Sequence, residues 1–166
     1  MEFKESKEKF IQSWGVLGSS WGINKTMAQI HALLLITPKV LSTEEIMDEL
    51  KISRGNANMN IRALMDWGIV TKSFKAGERK DFFFADKDIW AVARKITKER
   101  SKREIEPVIT ILNELKDVKG NDADVNQFRE TVSELESFTS KLNSVVDKFS
   151  QSDEHWFYKK LLKLVK

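Results

Sequence analysis

The order of local signals in the middle of the chain constrains its fold more than any other feature. Ser42 and Glu45 form a capping-box pattern, in which a hydroxyl and a carboxylate three residues apart bind free amides at a helix start. Ser53 can cap a further helix, and Gly68 is placed to end it. The segment therefore predicts a short helix, a tight turn and a second helix over residues 54–67.

Two strands and a preceding helix complete this unit. Strands fit residues 69–74 and 80–85, because both are rich in β-branched or aromatic side chains and are joined by a Gly-containing turn at 75–79. A helix is predicted from residue 25 to 37, with Pro38 as its stop. This order is the layout of a winged helix-turn-helix, whose second helix enters the DNA major groove. The predicted fold class is mainly α with a small β-hairpin wing, extended by long dimerisation helices.

The second helix of the motif has one apolar and one polar face. Ala57, Ile61 and Leu64 share the face that should pack on Ile46 and Leu50. Asn can pair with adenine and Arg with guanine or phosphate, so the opposite face suits DNA. The residues predicted to contact DNA are Ser53, Arg54, Gly55, Asn56, Asn58, Met59, Asn60 and Arg62 on the helix, and Lys72, Lys75, Arg79 and Lys80 on the wing.

Three short motifs resemble one family. They are Ser53-Arg54-Gly55-Asn56, Leu64-Met65-Asp66-Trp67-Gly68-Ile69-Val70 and Gly77-Glu78-Arg79-Lys80. Together they resemble the GbsR branch of the MarR superfamily of winged-helix transcriptional regulators, over about residues 14–107 and more weakly beyond. The resemblance implies a bacterial homodimer that binds a palindromic operator, an interface built from terminal helices, and a small effector that alters DNA affinity.

The remaining segments divide the chain into three predicted regions. Residues 1–24 form a dimerisation or support helix, 25–87 the DNA-binding domain, and 88–166 a helical dimerisation region that ends in an amphipathic helix with Trp156. A helix at 124–149 has apolar residues in steps of three and four, which suits packing against another helix, in a second copy or within the chain. The predicted dimerisation residues are Phe10, Trp14, Phe128, Val132, Leu135, Phe138, Leu142 and Phe149.

Charge is distributed unevenly along the chain. The net charge of +3 is small and does not by itself indicate nucleic acid. Residues 51–103, however, carry fourteen Lys and Arg against six Asp and Glu, whereas residues 104–151 carry five against ten. A local basic field favours an approach to phosphates. The alternative is that these charged residues are scattered over solvent-exposed helix faces and do not indicate a nucleic-acid partner.

Other classes of protein are disfavoured. The chain has no cysteine, which fits a reducing compartment, and its first ten residues lack the apolar core of a signal peptide. The longest apolar run, residues 32–36, is too short to cross a bilayer, so a cytoplasmic protein without membrane contact is expected. His31 and His155 lie far apart, and no metal-ligand, phosphate-loop or catalytic-triad spacing is present. We therefore expect no enzyme, cofactor or metal.

The sequence leaves two interpretations for the role of three tryptophans and two for the function of the winged helix. Trp14, Trp21 and Trp90 could bind a quaternary ammonium effector through cation–π attraction, although core or interface packing is the favoured interpretation. The predicted function is a sequence-specific regulator, a repressor, that binds double-stranded DNA as a homodimer. The alternative is a winged-helix protein-interaction module that does not bind DNA.

Overall fold

The computed structural model describes residues 1–152, and the predicted helix around Trp156 lies outside the described residues. The chain divides into two compact units, residues 1–92 and the part from Ala93 onward. The helices are α1 (Phe3–Ser20), α2 (Lys25–Ile36), α3 (Thr43–Leu50), α4 (Arg54–Asp66), α5 (Ile89–Arg100), α6 (Glu106–Leu115) and α7 (Ala123–Gln151), with a π-helical segment at Ser101–Ile105, and the strands are β1 (Leu41–Ser42), β2 (Val70–Ser73) and β3 (Phe82–Ala85). The predicted mainly α fold with a small β-sheet is confirmed, and the dimerisation role of the long helices stays a prediction.

Helix α2 is the centre of the first unit. It packs against α1, α3, α4 and β3. Met27, Ile30 and Leu34 are 6%, 0% and 1% exposed, and Ala32 and Leu33 are completely buried. A helix that is apolar on nearly all sides is expected where neighbours surround it.

Helix α1 runs through Gly18 and ends at Ser20. A Cβ atom at Gly18 would lie 2.5 Å from the Cβ of Ala28, closer than real Cβ contacts. The glycine therefore permits a close crossing of α1 and α2 rather than ending the helix, and the chain turns only after Ser20.

The caps of α3 and α4 form as predicted. The Ser42 Oγ accepts a hydrogen bond from the Glu45 N–H at 3.2 Å, and the Ser42 N–H donates to Glu45 Oε2 at 2.7 Å. Lys51 takes a left-handed conformation between the helices, with φ of 54°. The Ser53 hydroxyl then accepts from the Asn56 N–H at 3.3 Å. These local bonds set where the second helix begins, and hence which residues occupy its first turn.

The sheet has three antiparallel strands in the order β1-β3-β2. Ser73 pairs with Phe82 at the loop end of the hairpin, so the loop runs over residues 74–81 and is longer than predicted. Strand β1 pairs Leu41 with Phe83 and was not predicted, because two residues are too few to show alternation. Ser42 caps α3 and also pairs with Phe82, next to the loop at 74–81. The sheet therefore joins the start of α3 to the base of the wing, which is the part of the hairpin where this loop begins.

In the second unit, α6 packs against α7 and buries Val132, which is 4% exposed. The Ser101 hydroxyl donates to Asn143 Oδ1, and Lys116 Nζ lies 2.6 Å from Glu136 Oε2. Pro107 stands in the first turn of α6, directly after the π-helical segment. Within residues 1–152 no helix combines the length and apolar character needed to span a bilayer.

Candidate nucleic-acid interface

The outward face of α4 is open to solvent. Ala57, Ile61 and Leu64 are buried at 0%, 2% and 1% exposure and turn the opposite side of the helix outward. The exposed residues of that side are Ser53, Arg54, Gly55, Asn58, Met59 and Arg62. The packing therefore presents two guanidinium groups and one amide where the sequence predicts DNA contacts.

Asn60 does not belong to this outward face, contrary to the prediction. It is 3% exposed, and its Nδ2 donates to the carbonyl of Asn56 at 2.8 Å and to Asn56 Oδ1 at 2.7 Å. Its position explains the error, because residue 60 lies three after Ala57 and four before Leu64 and so falls on the buried stripe. Asn56 is half-buried and accepts both bonds. This amide pair supports the first turns of α4 from within.

Glu44, which the sequence analysis did not single out, binds the first arginine of α4. The Arg54 Nη2 donates to Glu44 Oε1 at 2.7 Å, across ten residues of sequence. The pKa of Glu44 is lowered by a hydrogen bond from its own backbone N–H, then by the bond from Arg54 and by the charges of Arg54 and Lys80. Glu44 thus keeps its negative charge and holds the Arg54 guanidinium.

Two wing lysines are also paired with carboxylates. Lys72 Nζ lies 2.9 Å from Asp81 Oδ2, and Lys80 Nζ lies 3.4 Å from Glu78 Oε2. Exposed pairs of this kind contribute only about 0–1 kcal/mol, so phosphates can replace the carboxylates at small cost. Sequence reasoning counted the wing cations and missed these partners. The acidic residues lower the net charge of the wing, but both lysine side chains remain exposed to solvent.

Three basic groups of the motif have no such partner. Among the residues described, Arg62 and Arg79 form no ion pair with an acidic side chain, and Lys75 Nζ lies 4.1 Å from the centre of the Phe82 ring. A cation over a ring keeps its charge available to a second partner. These groups can therefore bind phosphate or base acceptors without first breaking an ion pair.

The three candidate effector tryptophans differ in their surroundings. The Trp14 ring stacks on Phe10 at 5.4 Å and lies 6.4 Å from the His31 ring, which suits a packing role. Trp21 is 56% exposed, and Trp90 is half-buried. Effector binding by these residues stays a prediction.

His31 is buried beneath α1. It is 3% exposed, and burial, with a smaller effect of the Lys87 charge, lowers its pKa to about 4. Its Nε2 has no hydrogen-bond partner among the described residues. The part of the chain that the structure describes also holds no group of three His, Cys, Asp or Glu able to bind a metal ion. His31 is therefore a neutral core residue.

The predicted dimerisation residues fall into three groups by exposure. Phe128, Leu135, Phe138 and Leu142 of α7 are 43%, 49%, 67% and 43% exposed. Val132 is buried by packing within its own unit and so cannot form part of an exposed interface. The half-buried members are Phe10, Trp14 and Phe149.

Comparison with known proteins agrees with this architecture. No family model matches the chain. The chain is 22% identical over 111 residues to the HTH-type transcriptional repressor GbsR of Bacillus subtilis strain 168. That match covers 67% of this chain and 61% of the repressor, so the chain spans less than two thirds of its relative's length.

A solved structure supports the fold. It is described as the crystal structure of a transcriptional regulator, and it superposes with a TM-score of 0.59 at 20% identity. The match covers 89% of this chain and 99% of the other. The chain shares this regulator fold and is a weak homologue of the repressor, and neither relative is described as an enzyme.

Proposed function

We propose that this protein is a sequence-specific regulator of transcription, acting as a repressor in the GbsR branch of the MarR superfamily, and that α4 and the wing bind double-stranded DNA. One observation carries the proposal. Glu44 binds Arg54 at the start of α4, and Ser42, two residues before Glu44, pairs with Phe82 beside the wing loop. The start of α4 and the base of the wing are therefore neighbours on one surface, as a major-groove helix and its flanking wing must be.

The chemistry of the surface suits this role. Asn58 and Arg62 offer a bidentate amide and a bidentate guanidinium to base edges. The wing cations contact phosphates, which position the protein but do not read sequence. Glu44 keeps Arg54 oriented before binding, which limits the rotamer freedom lost on contact.

Affinity for duplex DNA is expected to fall steeply with salt. Two protomers that each use the wing cations Lys72, Lys75 and Arg79 make about six phosphate contacts, which corresponds to a loss on the order of 10³-fold between 50 and 200 mM salt. Fluorescence anisotropy with a labelled duplex across this range measures the slope. If the purified protein shows no duplex affinity at low salt, the interaction-module alternative is favoured instead.

We also propose that α7 joins two copies of the chain. Its exposed apolar residues Phe128, Leu135, Phe138, Leu142 and Val145 recur in steps of three, four and seven, the spacing of a helix-packing stripe. On α6, Val108, Ile111 and Leu115 are 44%, 55% and 41% exposed. So much exposed apolar surface on two adjacent helices is typical of an interface. A second copy, as the resemblance implies, would cover it and set the spacing of two half-sites.

Replacement of Leu135 and Phe138 by glutamate is expected to convert a dimer into monomers. Each change puts a charge on the apolar stripe, where burial without a partner is costly. Sedimentation velocity reports the mass. The matched control places glutamate at Ser133 and Ser144, which are exposed on the opposite side of α7, and should remain dimeric. A wild-type chain that is monomeric at all concentrations would contradict the dimer but not DNA binding.

The operator and the effector need a separate experiment. Selection of genomic fragments by the purified protein recovers the bound site, and the neighbouring genes indicate what is regulated. The resemblance alone supports an effector, so compounds of that pathway are then tested for release of the selected duplex.

A further inference from the structure

Phe74 is an aromatic residue that packs little against the rest of the fold. It is 77% exposed, whereas Phe82 and Phe83 of the facing strand are 2% and 5% exposed. Phe74 follows Ser73, the last residue of β2 that pairs with β3, so it lies just beyond the ladder in the wing loop. Its backbone is not held by strand pairing, and its ring supplies almost nothing to the core.

One basic side chain lies over this ring, and two more lie at the same end of the hairpin. Lys72 Nζ lies 5.2 Å from the centre of the Phe74 ring, and Lys75 follows it directly. Lys75 and Lys80 lie 4.1 and 5.6 Å from the centre of the Phe82 ring at the same end of the hairpin. An exposed aromatic ring flanked by cations matches a ligand that is anionic outside and stacked and apolar within. A nucleic acid has that chemistry, and an apolar protein pocket or a lipid surface matches only part of it.

We propose that Phe74 is an apolar wedge that enters the minor groove beside the major-groove site of α4, partly unstacks one base step and bends the duplex. This rests on the proposed function, and extends it from reading bases to deforming DNA. Lys72 and Lys75 bind the phosphates that flank the groove and so place the ring at its mouth. Unstacking costs free energy, which the additional contacts of a bent duplex offset.

The choice of DNA follows from the neighbours of the wing. Ser42 pairs with Phe82 beside the wing loop, and Glu44, two residues after Ser42, holds Arg54 at the start of α4. A duplex that engages α4 therefore passes the base of the wing, and the loop that carries Phe74 extends from that base. Deformation would favour flexible pyrimidine–purine steps at a position that no side chain reads by hydrogen bonds.

The test uses the full chain and a duplex of about 30 base pairs, recovered by genomic selection and labelled for energy transfer between its ends. A second set carries 2-aminopurine at single steps flanking the recovered site. We expect the wild type to shorten the end-to-end distance and to raise 2-aminopurine emission at one step. F74A should lose both signals and bind about tenfold more weakly, whereas F74L, which keeps an apolar wedge, should retain part of the bend.

The control is F84A, which removes an aromatic ring of 39% exposure from β3 of the same hairpin and should bend DNA like the wild type. Thermal unfolding of F74A should match the wild type, since the ring is exposed. Equal bending by F74A and the wild type, or weaker binding by F74A with the bend retained, overturns the wedge and leaves the proposed function standing. Absence of any duplex binding by the wild type overturns both.

Discussion

Replacing Arg54 and Arg62 together by alanine is expected to weaken binding to the selected duplex by about 2–6 kcal/mol, since each guanidinium that reads a base contributes about 1–3 kcal/mol. Arg62 makes no ion pair among the described residues, and Arg54 is already oriented by Glu44 at 2.7 Å. Both side chains are exposed, so the loss of binding should come without a loss of stability. Gel shifts at fixed salt measure the change.

The matched control replaces both arginines by lysine. Lysine keeps the positive charge but cannot form the paired bonds of a guanidinium to guanine. We expect this variant to keep affinity for mixed-sequence DNA and to lose preference for the selected site. An alanine double variant that binds the selected duplex as tightly as the wild type would refute the assignment of α4 as the reading helix.

Acidification from pH 6.5 to pH 4 is expected to remove about 3 kcal/mol of folding free energy through His31 alone. Burial lowers the folded pKa of His31 to about 4, below the ordinary value of 6.5. The unfolded chain therefore binds a proton that the folded chain excludes, and stability falls as pH falls through this window. Above pH 6.5 the histidine is neutral in both states, and the contribution is fully present.

Urea denaturation of the wild type and of H31Q at pH 7, 5.5 and 4.5 isolates this effect. Glutamine cannot titrate, so the variant should lose less stability over the same interval, whatever its stability at pH 7. The carboxylates Glu44, Glu45 and Glu136 have pKa values lowered by hydrogen bonds, so their contribution is lost mainly below this range. Parallel pH profiles for the two proteins would show that His31 is protonated without cost.

Local sequence predicted the motif well because its signals act over a few residues. The capping box at Ser42 and the cap at Ser53 each involve atoms three residues apart, and the structure forms both. The apolar face of α4 follows from helical periodicity alone. Asn60 satisfies the same periodicity, but its polar side chain was interpreted as outward-facing. The buried stripe at positions 57, 60, 61 and 64 was the signal that could have corrected it.

Contacts between separate elements could not be predicted in this way. Glu44 and Arg54 are ten residues apart on two helices, and their bond depends on the crossing of α3 and α4. Lys87 donates to the carbonyls of Leu34 and Thr37 at the end of α2, across at least fifty residues, and its charge then acts on His31. No local pattern encodes such distances.

The order of elements, the start of each motif helix and the two faces of α4 follow from the sequence, because hydrogen bonds within a turn and side-chain periodicity need no distant partner. Which charges remain available depends on how separate elements pack. Packing paired Arg54, Lys72 and Lys80 with carboxylates, left Arg62 and Arg79 without such partners among the described residues, and left Phe74 exposed. Charge and exposure depend on every neighbour in space, and only the packed chain brings those neighbours together.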